Sequence, residues 1–142
     1  MAIRGWSFSG FLAALAVLRR PDVFHAGIAG AAVTDQRLYD THWREKFLGL
    51  PQQNPEGYDR SSTITEAASL TRPLLLVHGM ADDNVVVAHT LRMSAALLAA
   101  GRPHQVLPLP GTHMPIGIVG PLLRHVLAFL TESLGASVPD VD

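Results

Sequence analysis

Cysteine is absent from this chain, which excludes disulfides, thiolate metal ligands and a cysteine nucleophile together. Charge is scarce as well: Asp, Glu, Lys and Arg make up 16% of the residues and nearly cancel, to a formal net charge of -1. So balanced a chain carries no basic field of the kind that nucleic acid or an anionic membrane surface selects, and neither partner is expected. No apolar run reaches the ~18–20 residues that a membrane span needs. What is abundant is apolar residues, at 48% of 142, enough for one ordinary domain with its own core. The expected organisation is one unit over residues 1–135 followed by a polar tail, 136–142.

The N-terminus could be mistaken for a leader, since Arg4 precedes an apolar run over 11–18. Arg19, Arg20 and Pro21 then stand where a cleavage site needs small residues, which argues against secretion. The chain is read as cytoplasmic.

Period and punctuation predict alternating helices and strands. A helix over 10–20 is stopped by Pro21, after a strand stub at Ala2 and Ile3, and a Gly-rich apolar run over 25–32 reads as a buried strand. Residues 34–58 form a polar and aromatic excursion with a short helix over 41–48 that Asp40 can cap. Ser61 or Ser62 can cap a helix running to Leu70, and the continuous run 74–77 has the composition of a strand buried on both faces. A helix over 85–101 closed by Gly101, a strand over 105–109 and a last helix over 120–134 complete the order. Strands separated by helices imply parallel crossovers, so the predicted fold is α/β, a mostly parallel sheet of about four strands flanked by helices.

Three residues in this frame could perform acyl-transfer chemistry. The stretch GWSFSG (5–10) nearly matches the G-x-S-x-G turn that lifts a serine oxygen clear of a strand and aims it at a helix N-terminus, with Ser7 as the nucleophile. Ser9 occupies the place of the second glycine. A base and an orienting carboxylate are offered by loops after later strands, His113 in one and Asp82 or Asp83 in the other. The chain order Ser, Asp, His is that of α/β-hydrolases. His78, at a strand end beside the acidic loop, suits a supporting hydrogen bond better than proton transfer. Asp82, Asp83 and Asn84 could equally form a turn that caps the next helix. No His and carboxylate spacing makes a metal site.

Four blocks, AIRGWSFSG, LYDTHWREKFLGLPQQNPEGY, LLLVHGMADDNV and PGTHM, resemble the prolyl oligopeptidase family of serine peptidases, and most closely its dipeptidyl peptidase IV-like branch. The blocks span nearly the whole chain, and HG-x-ADDNV is the most specific of them. The resemblance implies a partial α/β-hydrolase fold with Ser7 as nucleophile, Asp82 as the triad acid, His113 as the base and the backbone N–H of Phe8 as an oxyanion donor. It further implies a pocket of Phe8, Val33, Tyr39, Trp43 and Val85 for the proline or alanine before the scissile bond, with Asn84 helping to hold the substrate carbonyl. Tyr39 and Trp43, read on one short helix, could alternatively be core packing. No cofactor is called for, and the expected partner is a short peptide.

Two departures shape these expectations. Gln36 stands where the branch usually has a pocket tryptophan, which loosens the preference for proline and leaves room for an esterase or acyl-peptide hydrolase. Members of the family also carry a β-propeller and the first half of the hydrolase sheet ahead of the residue corresponding to Met1, including a tyrosine of the oxyanion hole. The chain is therefore read as the C-terminal part of a peptidase domain. Its exposed sheet edge could pair with a second copy, so a homodimer is one candidate assembly. An inactive remnant or interaction module is another reading, for which weak or no fluorophosphonate labelling is expected.

Overall fold

The computed structural model describes residues 1–135. Its centre is a four-stranded parallel sheet in the order β1-β2-β3-β4, formed by Ala2–Trp6, Ala26–Gly30, Leu74–Gly79 and Gln105–Leu109. Because strand order follows chain order, every crossover lies on one face. Helices α1 (Phe8–Arg19) and α4 (Ala88–Ala99) cover that face, where Ala14, Val17 and Leu18 meet Ala29, Leu74, Leu76, Met93 and Leu97. The last helix, α5 (Val119–Leu134), returns over the other face, and Leu122, Val126 and Phe129 pack on Ile28, Leu75 and Val77. The period of two along β3 sends Leu74 and Leu76 one way and Leu75 and Val77 the other, as a strand buried on both faces requires.

Several elements differ from expectation for identifiable reasons. Strand β1 runs five residues to Trp6, past the expected stub at Ala2 and Ile3, because it pairs with β2 along its whole length. Helix α1 begins at Phe8 rather than Gly10, directly behind the Ser7 turn. Strand β2 ends at Gly30, since Ala31 turns to a positive φ of 41°. The helix expected behind Ser61 or Ser62 is a 3-10 helix over Ile64–Ser69 with no side-chain cap. Ser61 Oγ instead donates back to the Gly57 carbonyl, and Ser62 Oγ donates to the Thr34 carbonyl. Helix α4 starts three residues later than expected, at Ala88, because the backbone of Asn84 and Val85 is engaged by Asp82.

The excursion after β2 holds the predicted helix α2 (Thr41–Leu48), where the Asp40 carboxylate accepts the His42 N–H at 2.9 Å. A further helix, α3 (Pro55–Arg60), escaped prediction, although Asn54 caps it and Pro55 opens it. Tyr39 precedes α2 instead of lying on it, and no residue of α2 is buried. The core-packing alternative for Trp43 is thereby excluded. The expected tail over 136–142 lies outside the described residues.

Candidate active site

The site is assembled at the ends of β1, β3 and β4, where the chain leaves each parallel strand in the same direction. Ser7 sits between β1 and α1 with φ 58° and ψ -122°, a conformation L-residues rarely adopt and one that costs about 1–3 kcal/mol. Neighbouring contacts hold it there: the Ser7 N–H donates to the Gly30 carbonyl at 2.8 Å, and the Ser7 carbonyl accepts the Phe11 N–H at 3.1 Å. Glycines permit the close approach of strand and helix. A methyl on Gly5 would run into the Ser9 carbonyl, and one on Gly10 into the Gly30 carbonyl.

Ser9 does not spoil this turn. Its hydroxyl donates to the Trp6 carbonyl at 2.7 Å and accepts the Trp6 N–H at 3.0 Å, satisfying both backbone groups of the last residue of β1. The glycine requirement falls on Gly5 and Gly10, so position 9 tolerates a small polar side chain.

Asp82 follows β3 and is 6% exposed. Its Oδ1 accepts the backbone N–H groups of Asn84 at 3.0 Å and Val85 at 2.9 Å, which fixes the carboxylate and leaves Oδ2 for His113. His113 follows β4, with Nδ1 2.8 Å from Asp82 Oδ2 and Nε2 3.1 Å from Ser7 Oγ. Since a carboxylate oxygen only accepts, Nδ1 carries the proton, and Nε2 presents its lone pair to the serine hydroxyl. The Trp6 indole N–H donates to the His113 carbonyl at 2.8 Å, tying the His113 loop to the strand that precedes Ser7. Gly79 lets that loop pass, because a side chain there would meet the Gly111 and Thr112 carbonyls. Asp83 is exposed and takes no part.

His78 has the supporting position expected of it. Nε2 lies 2.7 Å from the Val85 carbonyl and 3.4 Å from Asp82 Oδ2, while Nδ1 lies 2.7 Å from Thr90 Oγ1. A carbonyl cannot donate, so Nε2 holds the proton and Nδ1 accepts from threonine. This fully buried imidazole bridges the acid loop to α4.

Beside Ser7 opens a cavity of about 530 Å³ lined by Ser7, Phe8, Val33, Tyr39, Trp43, Arg44 and Phe47. Phe8 is the first residue of α1, where helix geometry leaves the N–H without an intrahelical acceptor and free for an oxyanion. Of the anticipated pocket residues, Phe8, Val33, Tyr39 and Trp43 line the cavity. Val85 does not: it is fully buried, and its backbone serves Asp82 and His78. Asn84 is joined to the cavity through its side-chain oxygen, which accepts the Tyr39 hydroxyl at 3.1 Å. Gln36 also turns away, buried and donating to the Ser61 carbonyl at 3.3 Å. Arg44 and Phe47 were missed, although their spacing from Trp43 on α2 was legible. Trp43 and Phe47 meet edge to face at 5.3 Å, and the Arg44 guanidinium lies over the Tyr39 ring at 4.9 Å.

Among the described residues no group of His, Asp and Glu is arranged to hold a metal ion, and no helix is long and apolar enough to cross a membrane.

Comparison with known proteins agrees with this architecture. Dipeptidyl peptidase 8 of human and of mouse are each 35% identical to the chain over 152 aligned positions, covering 97% of the chain and 16% of either relative. The crystal structure of Porphyromonas gingivalis dipeptidyl peptidase 4 superposes with a TM-score of 0.85 at 34% identity, covering 93% of the chain and 19% of that structure. The chain thus spans about one-sixth to one-fifth of the length of these relatives. The prolyl oligopeptidase family model matches residues 1–137, and the chain, with its parallel sheet and with Ser7, Asp82 and His113 after β1, β3 and β4, belongs to that family of serine peptidases.

Proposed function

We propose that this chain carries the catalytic site of a serine exopeptidase that cleaves short peptides after proline or alanine by acyl transfer. The observation that supports the reading best is the continuous hydrogen-bonded row Ser7, His113, Asp82 beside an aromatic cavity. In the proposed reaction the residue before the scissile bond enters between Phe8, Tyr39 and Trp43, rings that bury a flat pyrrolidine at little cost in entropy. His113 Nε2 removes the hydroxyl proton as Ser7 Oγ attacks the carbonyl carbon. The developing oxyanion takes a hydrogen bond from the Phe8 N–H, a donor worth about 3 kcal/mol in such sites. His113 then passes its proton to the leaving amine, and water, deprotonated by the same nitrogen, releases the acyl group. Asp82 keeps the imidazole in the required tautomer throughout.

Gly-Pro and Ala-Pro anilides test the substrate class. Their turnover, lost in Ser7→Ala, is the expected result, and turnover of simple esters alone would overturn the peptidase reading. The second reading, a less selective esterase or acyl-peptide hydrolase, is favoured by one observation: Gln36 leaves the cavity open instead of filling it. As to assembly, α5 exposes Val119, Leu123, Leu127 and Leu134, an apolar stripe at helical spacing that suits a homodimer; sedimentation of the chain and of Leu127→Glu tests it. A cytoplasmic location is proposed with it, to be checked by cell fractionation.

A further inference from the structure

Arg44 is the arginine in the wall of this cavity. Arg19, Arg20, Arg37, Arg60 and Arg92 each have a carboxylate oxygen within 4 Å. Arg44, like Arg4, Arg72, Arg102 and Arg124, has none among the described residues, but of these it alone lines the cavity beside Ser7. Its Nε is buried without a hydrogen-bond partner, its guanidinium is stacked on Tyr39, and burial holds its pKa below the usual arginine value. It cannot shed the cost of burial by losing its proton, because a guanidinium stays charged near neutral pH. A half-buried cation with an orphan donor is an unfavourable arrangement in a folded chain. It becomes favourable when an anion arrives from outside.

The cavity decides where such an anion would sit. Arg44 shares it with Ser7, and the remaining walls, Phe8, Val33, Tyr39, Trp43 and Phe47, are apolar or aromatic and contain no acidic residue. At about 530 Å³ it has far more room than a five-membered ring takes. A carboxylate on a short methylene stem matches both features, the stem against the rings and the charge against the guanidinium fork.

Resting on the proposed peptidase reading, we propose that Arg44 is a specificity-determining residue that lets this pocket accept an acidic residue, glutamate above all, before the scissile bond. The acceptance adds to proline and alanine and does not replace them.

The test measures binding, so that it stands apart from turnover. In the Ser7→Ala chain, Trp43 in the cavity wall reports occupancy by its fluorescence during titration with Ala-Glu-amide, Ala-Gln-amide and Ala-Pro-amide at neutral pH. The glutamate and glutamine peptides have nearly the same shape and differ in charge. Ala-Glu-amide is expected to bind roughly tenfold or more tightly than Ala-Gln-amide, the advantage of a charge-assisted pair. Arg44→Gln should bring that ratio to about one, and Arg44→Lys should retain only part of it, because an ammonium lacks the planar fork. Circular dichroism checks that each variant is folded. Equal affinities with Arg44 present, a ratio that survives Arg44→Gln, or no saturable binding of the acidic peptide would each overturn the proposal. Fluorophosphonate labelling of Ser7 in the unmodified chain separates the two readings: a labelled Ser7 with no acid preference sinks this inference alone. An unlabelled Ser7 with an Arg44-dependent preference supports acid recognition and sinks the catalytic reading.

Discussion

At the scale of single residues, Ser7 trades backbone comfort for the exposure of its hydroxyl. Glycine adopts a φ of 58° without penalty, so Ser7→Gly should raise stability by about 1 kcal/mol, measured by urea unfolding, while eliminating nucleophilic labelling. Asp82→Asn keeps the shape of the carboxylate but can leave His113 in the wrong tautomer, and a loss in acylation rate of about 10⁴-fold is expected. Ser9→Ala forfeits both hydrogen bonds to Trp6 and should cost roughly 1–2 kcal/mol in the same unfolding assay. Position 9 also shows where sequence reading falls short. The motif letter said glycine, but the steric demand lies on Gly5 and Gly10, a fact of three-dimensional approach that no spacing encodes. Ser7, Asp82 and His113 were legible because each sits in a distinctive local block at a strand end. Arg44 also lies in a matching block, but nothing in that block marks it, and its meaning comes from a carboxylate missing in space.

At the scale of elements, the Ser7 turn depends on how closely α1 crosses the end of the sheet. Gly10 faces the Gly30 carbonyl with no room for a methyl, and Gly30 faces the Trp6 ring. Gly10→Ala must push α1 away from β2, and a loss of at least about 3 kcal/mol, or failure to fold, is expected from thermal unfolding. Strands β2, β3 and β4 and helices α2, α4 and α5 were readable from apolar runs, periodicity and caps, because burial on the sheet imposes those patterns. In the excursion between β2 and β3, helix α3 and the 3-10 helix over Ile64–Ser69 were not. There Thr34 gathers the Thr63 N–H and the Ser62 hydroxyl onto its carbonyl, so Ser62 serves a long-range contact instead of the cap its local sequence suggests. Val85 is engaged through its backbone, its N–H and carbonyl meeting Asp82 and His78.

At the scale of the whole molecule, the face under α4 contains a pH liability. His89 is fully buried, accepts the Asp35 N–H on Nδ1 and leaves its Nε2 proton without a partner. Burial, reinforced by repulsion from His78, pushes its pKa down from 6.5 to about 4. Between those values the unfolded chain binds more protons than the folded one, so stability rises with pH and is lost as pH falls from about 6.5 toward 4. The contribution is on the order of 3 kcal/mol, and urea midpoints at pH 7 and 4.5 should differ less in His89→Gln than in the unmodified chain. The broader claim is that sheet, loops and helix N-terminus converge to make Ser7 reactive. Fluorophosphonate labelling followed by mass spectrometry of the modified peptide tests it most directly. The account predicts one label, on Ser7, absent from Ser7→Ala and slowed by about 10³-fold or more in His113→Ala. A label of equal yield in Ser7→Ala, or no label on the folded unmodified chain, would contradict it.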